Sequence, residues 1–139
     1  MISEQYQAII EIIHSAFPDV EAIYLFGSVD TVFETESSDV DIAILLPPPR
    51  AKSVTSETLR DVQFKLEDVI KRDIDLINIR MMNVVFRREI IKDAKRIYNV
   101  DSFAADEFEM MTMSLYQKLN EERADILDEI AATGRVLPP

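Results

Sequence analysis

The sequence predicts an α+β domain, α/β-like in its order, with one small β-sheet packed by helices. Three observations predict it. Short apolar runs end at glycine or proline, as buried strands do. Between them lie stretches with apolar residues three and four apart, the spacing of a helix with one buried face. A last, longer amphipathic stretch closes the chain. Residues 1–139 read as one domain, with a core at about 20–100 and a C-terminal helix at about 103–133.

The first helix is expected over 3–16, with Tyr6, Ile9, Ile10, Ile13 and Phe17 at helical spacing, Ser3 as N-cap and Pro18 as stop. His14 falls near its end and reads as a surface or packing residue. Ala22-Ile-Tyr-Leu-Phe26, closed by Gly27, is the first strand, and residues 40–46 the second, ended by Pro47-Pro48-Pro49. Residues 50–56 read as a mobile loop with Ser56 as the next cap. A helix over about 57–71 follows, with Leu59, Val62, Leu66, Val69 and Ile70 inward. Residues 73–79 make a third strand, 83–92 a short helix and 96–99 a fourth strand. In the long helix, Phe108, Met111, Leu115, Leu119, Ile126 and Ile130 form a near-heptad seam, and Gly134 ends it. Met111 and Leu115 are expected in the core.

Composition removes several function classes. No apolar run approaches the roughly 20 residues that span a bilayer, and the N-terminus lacks a secretion pattern, so a cytoplasmic location is expected. Without cysteine there are no disulfides or thiolate metal sites, and a single histidine disfavours a histidine-built zinc site. A formal charge of −11 repels phosphate backbones and favours a basic protein partner over nucleic acid. The acid is densest late in the chain. Residues 101–130 hold nine acids and two bases, a net of −7.

The chemistry is concentrated in Gly27-Ser28, a ten-residue spacer, and Asp39-Val40-Asp41. Side chains alternate across a strand, so Asp39 and Asp41 share one face while Val40 and Ile42 point into the core. Two adjacent carboxylates repel unless a cation joins them, and hard oxygen ligands suit magnesium, which also binds phosphates. Glycine lets backbone approach a phosphate closely, and a serine hydroxyl can bond a phosphate oxygen. Asp75, in the apolar context Ile74-Asp-Leu-Ile77, completes a three-carboxylate group if its strand lies beside 40–46. Asp73 shares its face at the strand entrance and ranks second. The plainer reading makes these aspartates turn caps or solvated strand residues. The fixed spacing and the third acid weigh against it.

This pattern resembles the DNA polymerase β-like nucleotidyltransferase superfamily, whose signature is Gly-Ser, a spacer, Asp-x-Asp and a later aspartate. Gly27, Ser28, Asp39, Asp41 and Asp75 match it position by position. The resemblance implies a nucleotidyltransferase fold with a small mixed sheet. The short length is similar to the minimal nucleotidyltransferase branch. Asp106-Glu-Phe-Glu109, Ser114-x-Tyr116, Leu119-Asn-Glu-Glu-Arg123 and Gly134-Arg-Val136 resemble the antitoxin half of HEPN/MNT type VII toxin–antitoxin pairs. The family implies that Asp39 and Asp41 hold two Mg2+ ions, that Asp75 binds the catalytic one and helps deprotonate the acceptor, and that Gly27 and Ser28 hold the triphosphate of ATP. It further implies AMP transfer onto a tyrosine of a HEPN ribonuclease toxin, with which a hetero-oligomer forms. Where many members continue Gly-Ser with an arginine-rich stretch, this chain has Val29-Asp-Thr-Val32. Arg50 or Lys52 is the expected substitute cation. A non-catalytic binding antitoxin and a small-molecule nucleotidyltransferase are the alternatives.

Overall fold

The computed structural model describes residues 1–27, 34–35 and 39–134. The elements run α1 (Ser3–Ala16), β1 (Ala22–Phe26), β2 (Val40–Leu45), α2 (Pro48–Ser53), α3 (Ser56–Ile70), β3 (Ile74–Asn78), a 3-10 turn (Ile79–Met81), α4 (Val84–Asp93), β4 (Lys95–Asn99) and α5 (Ser102–Thr133). The four strands form one mixed sheet in the order β3-β2-β1-β4. β1 is antiparallel to β2 and to β4, and β2 runs parallel to β3.

The alternation of β2 sorts the two faces. Val40, Ile42 and Ile44 join Ile23, Leu25, Ile74 and Leu76 against α1 and α3, where Ile9, Ile13, Phe17, Val62, Leu66 and Ile70 are buried. Ala43 and Leu45 turn to the other face with Ala22 and Tyr24, under Ile90 of α4 and Ala105 and Phe108 of α5. The sheet is thus a middle layer between two helix pairs, so strand faces near its ends are left to the solvent or to a ligand.

Five local expectations change. Ile2, not Ser3, caps α1; the Ile2 amide donates to the Gln5 side chain at 3.1 Å. Thr55, not Ser56, caps α3, its hydroxyl accepting from the Thr58 amide at 3.1 Å. The expected loop at 50–56 is mostly helix. Pro47 is the N-cap of α2, with Pro48 and Pro49 in its first turn, where no intrahelical N–H is needed and a fixed φ helps. Val69 lies outside the buried face of α3 and is 53% exposed. β2 and β3 are each shorter than expected, ending at Leu45 and spanning Ile74–Asn78.

The largest correction concerns α5. It buries only Ala105, Phe108 and Thr112. Met111 is 56% and Leu115 40% exposed, so neither is core. Near its start α5 is tied to the sheet through Arg96 of β4, which donates to Asp106 at 3.0 Å and also to Glu109. None of the described helices is long and apolar enough to cross a membrane.

Candidate active site

Parallel pairing sets the two central acids side by side. Asp41 of β2 is the register partner of Asp75 of β3, and Phe26 of β1 is the partner of Asp41 on its other side. Register partners on one sheet face sit about 4.8 Å apart, a strand spacing. Asp39 stands one pleat earlier on that face, just before β2. Val40 is pinned at the same place by its amide, which donates to the Asp73 carbonyl at 2.8 Å. Asp39 and Asp75 are exposed, whereas Asp41 is half-buried.

Gly27 closes β1 directly beneath this group. Its φ is +75°, in the left-handed region that favours glycine. A Cβ placed there would collide with Oδ2 of Asp41. The glycine is therefore demanded twice, by backbone conformation and by the carboxylate over it. Burial first, then the charges of Asp75 and Asp39, raise the pKa of Asp41 above the ordinary carboxylate value. Asp41 thus feels the charge of both carboxylates that share its face. No three of the described Asp, Glu or His side chains close to ligand distance around a common point. Like charges resist that closure until a cation offsets them. The donor set, all carboxylate oxygen with a glycine cradle filled by one carboxylate, fits magnesium.

Ser28, the other half of the expected phosphate cradle, lies outside the described residues, as do the 29–33 stretch and Arg135-Val136. Asp73 reaches the site through its backbone carbonyl, and its side chain is exposed. His14 is exposed, edge-on to Tyr98 at 6.1 Å. The expected substitute cations are misplaced. Arg50 and Lys52 lie in α2, beyond the opposite end of β2 from Asp41, roughly five residues or 17 Å of strand away. Arg50 instead stacks on the Phe17 ring at 5.7 Å.

Sequence reading missed one pair that frames the site. Arg72, between α3 and β3, donates to Glu34 at 3.0 Å and to the Thr35 carbonyl at 3.1 Å. Its side chain is 9% exposed. Arg72 precedes Asp73 and Asp75, and Glu34 lies in the segment between Gly27 and Asp39, so the pair joins the two lengths of chain that supply the acids. Nothing periodic marks either residue; only the sequence of charges, Arg72-Asp73 beside a strand start, hinted at it.

One mixed four-stranded sheet held between two helix layers is the architecture of a nucleotidyltransferase fold. The chain belongs to the polymerase beta nucleotidyltransferase family, whose sequence profile matches residues 7–103. Among individual proteins it is similar to the protein adenylyltransferase MntA of Shewanella oneidensis, 30% identical over 125 residues that cover 89% of this chain and 86% of that one. Two solved structures share its fold at a TM-score of 0.75 and 27% identity. One is a tri-AMPylated Shewanella oneidensis HEPN toxin in complex with MNT antitoxin, matched over 94% of this chain and 99% of the other. The second is a toxin–antitoxin complex with AMP-PNP, matched over 91% and 98%.

Proposed function

We propose that this protein is a cytoplasmic antitoxin that neutralises a cognate HEPN ribonuclease toxin by magnesium-dependent transfer of AMP from ATP onto a toxin tyrosine. The observation that carries the reading is the in-register pairing of Asp41 with Asp75 above Gly27, in a chain whose relatives include a protein adenylyltransferase and an antitoxin bound to an AMPylated toxin.

Asp39, Asp41 and Asp75 are the residues that would hold two magnesium ions. When bound, the ions offset the charge on the entering and departing oxygens. Gly27 brings backbone close to the triphosphate, and Ser28 offers a hydroxyl to a phosphate oxygen. Asp75, the more exposed of the paired acids, faces the acceptor and takes the tyrosine proton. The tyrosine oxygen forms a bond to the α-phosphorus, the bond from that phosphorus to the bridging oxygen breaks, and pyrophosphate leaves with its electrons. The product carries added bulk and negative charge on the toxin, which works against RNA binding there.

The test is the double substitution Asp39→Ala with Asp41→Ala, co-expressed with the toxin. Toxicity returns, and the intact mass of the toxin loses its AMP increments. Full neutralisation by the double variant would leave only a binding antitoxin.

A further inference from the structure

α5 carries one apolar stripe along its whole length, and only its first third is covered. Counted at 3.6 residues per turn, Leu115, Leu119, Ile126 and Ile130 fall on the same face as Ala105, Phe108 and Thr112. Those three are buried against the sheet and α4. Beyond them the same face is largely open: Leu115 is 40% and Ile126 43% exposed, while Leu119 and Ile130 are half-buried. From Asn120 to Glu129 every residue is exposed. Where the stripe leaves the sheet, Leu119 lines a shallow hollow of about 440 Å³ with Val85 and Phe86 of α4.

The stripe is narrow and spaced four and three apart, the seam a single partner helix would fill. One position breaks it. Glu122 falls between Leu119 and Ile126 in the same repeat, so a helix laid on the seam covers a carboxylate. A covered carboxylate is costly unless a cation meets it. Glu122 also stands at the middle of the open stretch. A second copy of this chain, laid along it symmetrically in either direction, would bring Glu122 against Glu122. Self-pairing is therefore disfavoured at the seam, and a net charge of −11 on each copy opposes it further.

We infer that the open 115–130 face of α5 is a docking seam for one amphipathic helix of the acceptor protein, apolar at four-three spacing and bearing an arginine or lysine opposite Glu122. Naming the acceptor as the HEPN toxin rests on the reading above; the seam does not. Docking through α5 holds the acceptor by a surface other than the carboxylates, so affinity and chemistry are separable.

The experiment mixes the purified chain with its cognate HEPN protein and reads binding by titration calorimetry and AMP transfer by intact mass. Ile126→Asp weakens binding at least about tenfold, and it raises KM for the acceptor while kcat at saturation stays within about twofold. Ala124→Asp, on the opposite face, carries a larger loss of helix propensity than Ile126→Asp and still leaves binding unchanged. Glu122→Lys also weakens binding, and exchanging the facing basic residue of the partner for glutamate restores it. Circular dichroism checks that each variant keeps its helix content. Unaltered binding by Ile126→Asp and Glu122→Lys overturns the inference. So does a dimer of the unaltered chain alone that Ile126→Asp dissociates. Seam-dependent binding without AMP transfer by the unaltered chain would keep the seam and sink the enzymatic reading.

Discussion

At Gly27 a single hydrogen decides the geometry of the site. Gly27→Ala forces a methyl into the Asp41 carboxylate and asks alanine for a φ of +75°. The strain alone costs about 1–2 kcal/mol, and the displaced carboxylate leaves the position beside Asp75. AMP transfer should fall at least about a hundredfold, measured as incorporation from labelled ATP, with only a modest drop in melting temperature. Asp41 gives the opposite pairing of effects. Its folded pKa is raised by burial and by Asp75 and Asp39, so its ionised form works against the fold. Without divalent ions, Asp41→Asn should melt a few degrees higher than the unaltered chain at neutral pH. A raised folded pKa means that protonation favours the folded state, so the stability lost to Asp41 returns as pH falls through the raised value. The advantage of Asp41→Asn should therefore shrink toward acid pH, and the variant should transfer no AMP. A lower melting point for Asp41→Asn at pH 7 would show that the carboxylate is not a source of strain.

Among the elements, β2 and α3 carry most of what positions the acids. Leu66 is fully buried beneath the sheet, and Leu66→Ala should cost about 2–5 kcal/mol in urea unfolding. Arg72→Met breaks a largely buried ion pair, but Glu34 keeps the N-terminal amine at 3.1 Å, so the loss should be about 1–2 kcal/mol. It should cost more activity than Leu66→Ala does at matched stability, because Glu34 and Thr35 lie on the segment between Gly27 and Asp39. These elements differ in how visible they were from sequence. Val40-Asp-Ile-Ala-Ile-Leu45 declares a strand through its β-branched alternation and places Asp41 without further help. The parallel neighbour was inferable only as a condition, since register with Asp75 is set by the crossover through α2 and α3. Pro47-Pro48-Pro49 was ambiguous because proline both ends a strand and starts a helix. The Arg72–Glu34 pair spans 38 residues of chain and leaves no periodic trace. The seam of α5 was readable as a pattern, but a pattern does not say whether its cover belongs to the same chain, and Met111 and Leu115 were misplaced for that reason.

For the whole molecule the charge of −11 acts on the two substrates with opposite sign. A basic acceptor is drawn toward this surface, and added salt screens the attraction. ATP is itself anionic and approaches against the same field, so screening assists it. The acid is concentrated in α5, where residues 101–130 have a net of −7, close to the seam proposed for the acceptor. Raising sodium chloride from about 50 mM to about 500 mM shortens the Debye length from roughly 14 Å to roughly 4 Å. Across that range, KM for the acceptor should rise several-fold and KM for ATP should stay level or fall, at constant free magnesium. Both constants are read from initial rates of AMP incorporation. If the two rise together, the field does not distinguish the substrates and the acidic surface serves solubility alone. If the acceptor KM is flat while Ile126→Asp still raises it, apolar contact carries docking and the surrounding acid is incidental.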